Sequence, residues 1–445
     1  MTQRIIILVW ITITLGATAV CHALQQPESS SSSSSWRPLP DPLEMGRRTM
    51  LLGSAAAMAS AGTKPAVAFD GNSNNNNNNN MAGQSLSSIR SVASIDSHVA
   101  IPVWPTWGGG RVVPVSLGLE HDPFLLLAHH KHWFDPRDPL RKPFQTAGKA
   151  LGLPYVDVEG FSMHPHRGFD ILTYIVDGSD GFRHRDSLGK STKIYRGGCA
   201  QWMRTGAGVM HEEFWETRDD RRTNIELFQV WVNLPATQKL DEPHIQYVGT
   251  NTEFPWMEHH NVNEGVHVRD IGATLDASLI VDRNQDKDNT SETTTTTTTT
   301  VVNQRPAVNM LHVTMKPGTQ WEAPVSNDHS AVVYVREGAA TFPLTNDSSP
   351  KRQQQTANAL QTATFRADGT SIVISNRDPK KDLDFLLLAG APLRERVVLG
   401  GPIVMNSEEE LNDAYRQLSN GTFLKRDVVL RQQADTLRWT GRSVG

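Results

Sequence analysis

"FSMHPHRGFDILTYIVDGS", residues 161–179, sets two histidines two positions apart and follows them with an alternating run of apolar residues. On an extended chain, side chains at i and i+2 project to the same side, so His164 and His166 can face one interior point. The run "FDILTYIV" places Ile171, Thr173 and Ile175 on one face and Leu172, Tyr174 and Val176 on the other. Both faces are largely apolar, which is the pattern of a strand buried inside a barrel.

The neighbouring chain has the same texture. Short β-branched and aromatic runs, "RVVPVSLG" (111–118), "DPFLLLA" (122–128), "KIYRGG" (193–198) and "IELFQVWVNL" (225–234), are separated by Gly, Pro, Asn and Asp. That spacing indicates an all-β sandwich or barrel. A second set, "VNMLHVTMKPG" (308–318), "SAVVYVREG" (330–338), "TSIVISN" (370–376) and "DFLLLAG" (384–390), repeats it after a hydrophilic stretch with eight consecutive threonines, Thr293–Thr300. One helix is expected late, in "SEEELNDAYRQL": Ser407 caps, Glu410 closes a capping box, and Leu411, Ala414, Tyr415 and Leu418 share a face.

Downstream of the first histidine pair, "GCAQWMRTGAGVMHEEFWE" (198–216) supplies a second same-face pair, His211 and Glu213. Three imidazoles and one carboxylate, delivered from two strands of one barrel, suit a divalent first-row metal with positions left for substrate. Alternation directs Glu212 outward and Glu213 inward. His312 and His329, in the second half, stand alone and read as core or surface residues. "AHHKHWFDPRDP", with His129, His130 and His132, reads as a solvated loop at the barrel mouth.

The 445 residues exceed one ordinary core, so two domains are expected. Lys+Arg number 43 against 47 Asp+Glu, a net charge of −4 without a basic stripe, which argues against nucleic acid as a direct partner. The two cysteines, Cys21 and Cys199, exclude a disulfide framework and a thiolate zinc site. Residues 1–68 read as a bipartite address. A signal peptide over about 1–23 is followed by Arg47-Arg48, a mild apolar stretch and Ala66-Val67-Ala68, a twin-arginine-type signal over about 45–68. The expected destination is a plastid thylakoid lumen reached through the ER, with secretion as the alternative. No stable membrane span is expected after processing.

The motifs "HPHRGFDILTYIVDGS", "HRDSLG" (184–189) and "GCAQWMRTGAGVMHEE" resemble the metal-binding half of the pirins, two-cupin proteins. "DPFLLL" (122–127), "LFQVWVNLP" (227–235), "LLLAGAPLRERVV" (386–398) and "GPIVMNSEEELNDAYRQLSNGTF" (401–423) extend the likeness over about 95–425, the insertion apart. The resemblance implies two tandem cupin (jelly-roll β-barrel) domains with a C-terminal helix. The expected partition is a low-complexity linker over 69–94, a metal-bearing domain over 95–283, an insertion over 284–306 and a metal-free domain over 307–445.

By the same resemblance the ligands are His164, His166, His211 and Glu213. The metal would be Fe(II), with Mn, Ni, Cu or Zn as alternatives. The activity implied is O2-dependent cleavage of a flavonol, quercetin 2,3-dioxygenase-type, with Glu213 as ligand and base. The partners expected are a small enolic aromatic and O2, with a protein partner as a further option on a monomeric chain. The alternative role is a non-enzymatic iron-binding redox sensor. Around the ligands, Arg167 is expected to fix its loop. His184 and Asp186 should form a turn or orient a ligand, and Gln201, Trp202 and Met203 should pack beside the site. Cys199 is expected to be a buried small residue, and Gly206 and Gly208 should allow a tight turn.

Overall fold

A computed structural model describes residues 89–424 apart from 103–108, 140–142, 144–159, 189–192, 250–256, 273–307 and 345–353. The address, most of the linker and the threonine-rich insertion lie outside these residues.

Two jelly-roll barrels are built almost wholly of antiparallel strands. In the first, one sheet runs in spatial order His244–Val248, Ala200–Arg204, Phe169–Ile175, Thr223–Asn233, Phe124–Phe134, Gly109–Ser116 and Ile101–Pro102. Facing it is a four-stranded sheet of Gly160–His166, Val209–Trp215, Phe182–Asp186 and Lys193–Tyr195. The second barrel pairs a seven-stranded sheet with the four strands Gln320–Pro324, Ser371–Asn376, Ala339–Phe342 and Gln355–Asn358.

The sheets do not follow the partition expected along the chain. Val92–Ser97 pairs with Gln361–Phe365, and Val266–Asp270 pairs with Val308–Met315. Both segments, assigned to the linker and first domain by sequence, therefore complete the second barrel's large sheet. Hydrophobic periodicity identifies such strands but carries no information about which edge they join.

Strand alternation explains why "FDILTYIV" is apolar on both faces. Leu172 and Tyr174 pack with Trp202, Phe228, Val230, Val332, Leu386 and Leu388 in a core formed where the two large sheets lie back to back. Ile175 faces the other way, into the first barrel, beside Phe182, Trp215 and Leu227. The second barrel is filled with apolar side chains such as Val313, Trp321, Phe342 and Phe385.

A polar chain runs through the contact between the barrels. His129 bonds Tyr334 Oη at 2.9 Å and Glu226 Oε1 at 2.8 Å; Arg336 spans Glu226 and Asp384; His312 joins Asp384 to Tyr174. His312 is thus a satisfied core residue, as expected. His129, however, is fully buried in the strand Phe124–Phe134, and His132 is 7% exposed. The solvated-loop reading of His129, His130 and His132 is therefore corrected. A strand can carry these residues because Glu226 and Tyr334 satisfy His129, while His130 Nδ1 and His132 Nε2 meet at 3.1 Å on the opposite face.

After the second barrel the chain returns to the first. The hairpin Val398–Gly400/Ile403–Met405 and the helix Glu408–Asn420 pack through Val398, Ile403, Met405, Leu411 and Phe423 against Met210. The Ser407–Glu410 capping box is present, and Gly421 ends the helix at φ 80°.

Candidate metal centre

His164 and His166 sit on Gly160–His166, and His211 lies directly opposite His164 on Val209–Trp215. The three rings converge, with one ligand nitrogen from each lying within 4.8 Å of the others. His211 Nε2 and His164 Nε2 are 2.9 Å apart. Two imidazole nitrogens bound at about 2.1 Å and at right angles to one ion are separated by about 3 Å, so the pair is spaced for one metal.

The rings of His166 and His211 are each aimed by a partner at the far nitrogen. His166 Nδ1–H donates to the Pro402 carbonyl at 3.2 Å, which leaves Nε2 as the ligand atom. His211 Nδ1 meets His184 Nε2 at 3.1 Å. His184 Nδ1 lies 3.5 Å from both Tyr247 Oη and Asp186 Oδ2. Burial holds the His166 and His211 pKa values well below the usual histidine range and brings His184 down to about 3. His166 and His211 are therefore neutral near pH 7, the state a metal requires, and so is His184 behind them.

Glu213 stands apart from this trio. A bulge between His211 and Glu213 sets Glu213 opposite Phe161. It is 2% exposed; Oε2 accepts from Gln229 Nε2 at 3.2 Å, and Oε1 is buried with no hydrogen-bond partner. Burial raises its pKa to about 7, against the opposing hydrogen bonds from Gln229 and Thr173. Glu212 turns outward onto Arg185, as alternation requires. An orphaned buried carboxylate oxygen costs stability on the order of 1–3 kcal/mol. A cation offsets that cost, so the donor set of three imidazoles and Glu213 fits a divalent metal.

The sheet wall opposite Glu213 carries one polar row. Tyr247, Gln201, Thr173 and Gln229 are successive cross-strand partners over four strands. Apolar rows flank it, Ile245–Met203–Ile171–Trp231 on one side and Ile175–Leu227 on the other. Gln201 and Met203 pack beside the site as expected. Trp202, between them, points into the core between the barrels, which corrects its expected place.

Arg167 does fix its loop: Nε donates to the Ala207 carbonyl and Nη2 to the Phe423 carbonyl, both at 2.7 Å, with the guanidinium over the Phe423 ring. Gly168 and Gly208 make this junction close. A Cβ on Gly168, at φ +86°, would fall 2.0 Å from the Val404 carbonyl oxygen, and one on Gly208 would meet Phe423 at 3.0 Å. Cys199 is part-buried and packs against the first barrel's core. Sequence reading missed Gln229, Thr173, Tyr247 and the Pro402 carbonyl. Gln229 did leave a trace, as the one polar residue in the apolar run "LFQVWV" (227–232).

Two jelly-roll barrels with one ligand set, in the first, define a bicupin with a single candidate metal centre among the described residues. The pirin profile matches residues 121–232, and that of the pirin C-terminal cupin domain matches 310–424. Pirin-1 of Arabidopsis thaliana is 32% identical over 59% of this chain and 78% of its own length. Human pirin is 30% identical over the same shares. A Thermoplasma acidophilum protein provisionally named quercetin 2,3-dioxygenase is 28% identical over 60% of this chain and 93% of its own. The crystal structure of an Acinetobacter baumannii quercetin 2,3-dioxygenase shares the fold, with a TM-score of 0.55 over 76% of this chain and 99% of that one at 23% identity. The chain belongs to the pirin family.

Proposed function

We propose that the protein is a metal-dependent dioxygenase that opens the ring of a flavonol or a related enolic aromatic with O2. The observation that carries this is the convergence of three histidines on one point, with Glu213, a buried carboxyl with one free oxygen, two positions from His211 on the same strand. The name of the Thermoplasma relative supports the substrate class.

His164, His166, His211 and Glu213 would hold the metal, for which Fe(II) is our first choice. That ion would supply a positive centre that favours the enolate form of the substrate, whose own electrons reduce O2. The chain's own residues do the rest. Glu213 takes the enol proton on its carboxylate, and Gln229 fixes its orientation through Oε2. The apolar rows around Ile171 and Leu227 keep water from the reacting ring. The products would be a ring-opened ester carrying both oxygen atoms, and carbon monoxide.

The test is loss of flavonol absorbance under O2 by Fe(II)-loaded protein, with release of carbon monoxide. Turnover in wild type and none in His211→Ala supports the reading. Stoichiometric metal binding without turnover of any flavonol overturns it in favour of a redox-sensing role.

We further propose that residues 1–68 direct the protein to a thylakoid lumen. A reporter fused behind them that accumulates outside plastids would exclude that destination.

A further inference from the structure

A metal held jointly by the histidine cluster and Glu213 would account for the orphaned oxygen of Glu213, but not for two of the other unpaired buried atoms in the same barrel. Tyr195 Oη and Gln201 Oε1 are also buried without a hydrogen-bond partner. Tyr195 is 5% exposed and Gln201 1%. The Thr173 hydroxyl is near enough to lower the Tyr195 pKa, but it makes no well-formed hydrogen bond to Tyr195 Oη. Three orphaned polar atoms in one end of one barrel are unusual, because native interiors pair nearly all such groups.

These atoms share a neighbourhood. Tyr195 stacks edge-on against Tyr247 at 5.5 Å, and Tyr247 Oη accepts from Gln201 Nε2 at 2.9 Å. Tyr247 also touches His184, which orients His211. The pair therefore lies at the Tyr247 end of the polar row, beside the metal centre and walled by Phe182 and Ile175.

We infer that Tyr195 Oη and Gln201 Oε1 form a subsite for the phenolic hydroxyls of the substrate, one donating and one accepting. The inference rests on the flavonol reading above and narrows it to hydroxyl-bearing rings. The Tyr195 phenol carries its proton at neutral pH, so its O–H is available to donate. Gln201 has its amide nitrogen committed to Tyr247, so its oxygen is left to accept. A ring with two hydroxyls satisfies both groups; a bare ring leaves both orphaned. Sites built to bond a hydroxyl reject the analogue that lacks it, because the site's own polar atoms then go unpaired.

The experiment is binding of two flavonols to the Fe(II)-loaded full chain without O2, read by calorimetry. One is quercetin; the other is the flavonol whose outer ring carries no hydroxyls. Metal content is measured alongside. Wild type should prefer quercetin by about tenfold or more. In Tyr195→Phe, which leaves the metal partners intact, and in Gln201→Met the ratio should fall toward one. Equal affinities in wild type, or a ratio unchanged in both metal-replete variants, overturns the subsite and leaves the oxygenase reading standing. No binding of either flavonol overturns both.

Discussion

The Nδ1–H of His166 donates to the carbonyl of Pro402, 236 positions later in the chain, at 3.2 Å. An expected ligand in the first barrel is thus oriented by the hairpin that follows the second. Arg167, the next residue, clamps the same segment through the Phe423 carbonyl and Gln417. The second barrel carries that segment back, which gives it a structural part in the candidate centre of the first.

Removing the clamp should loosen that part. Arg167→Ala strips two buried carbonyls of their donor and should cost about 3 kcal/mol of stability. Metal affinity should fall with it, since His166 loses its support. Chemical denaturation and a metal titration read the two effects. An Arg167→Ala protein with wild-type affinity would show that the Pro402 contact does not aim the ligand.

His184 bonds the far nitrogen of His211 and touches no other expected ligand by hydrogen bond. Partners of this kind are worth about 10- to 100-fold in metal affinity. His184→Phe should show that loss while keeping its secondary structure, and His184→Gln should restore part of it. Competition against a chelator measures both; unchanged affinity in His184→Phe would reduce His184 to a packing residue.

For Glu213 the sign of the pH effect follows from a folded pKa of about 7 against an ordinary 4.5. A carboxyl raised on folding contributes stability that is present below about pH 4.5 and lost as pH rises through 7. At pH 8 the metal-free protein should be destabilised by about 3 kcal/mol on this account. Glu213→Gln should lack that loss. With metal bound, the carboxylate is the favoured form and the trend reverses for wild type alone. Melting of both proteins at pH 5 and 8, with and without Fe(II), separates these cases. Parallel curves for wild type and variant would mean the carboxyl is not held protonated.

Arg336 sits between Glu226 and Asp384, whose pKa values its charge helps to depress, Glu226 to about 2. Arg336→Met leaves two buried carboxylates without their shared cation and should cost about 3–5 kcal/mol. A double-mutant cycle with Asp384→Asn should recover part of that. Additive effects would contradict a coupled network between the barrels.

The sequence displays what depends on alternation along a strand. His164, His166 and His211 announce themselves by i, i+2 spacing, and Glu212 and Glu213 part to opposite faces as that period demands. Residues whose role depends on which strands become neighbours stay hidden. His129 looks like a loop residue until Tyr334, far along the chain, is placed against it. Pro402 contributes a backbone carbonyl, for which side-chain patterns hold no sign at all. Trp202 illustrates the limit from the other side. Its neighbours Gln201 and Met203 face the metal centre, and a single step along the strand sends it into the core between the barrels.

The central claim is that the first barrel holds one metal through His164, His166, His211 and Glu213. Metal analysis of the chain beside His164→Ala/His211→Ala, each as prepared and after anaerobic Fe(II) addition, tests it most directly. The account predicts one transition-metal ion per wild-type chain and none in the double variant. A wild-type protein that takes up no metal under either condition, or a double variant that retains one ion per chain, would contradict it.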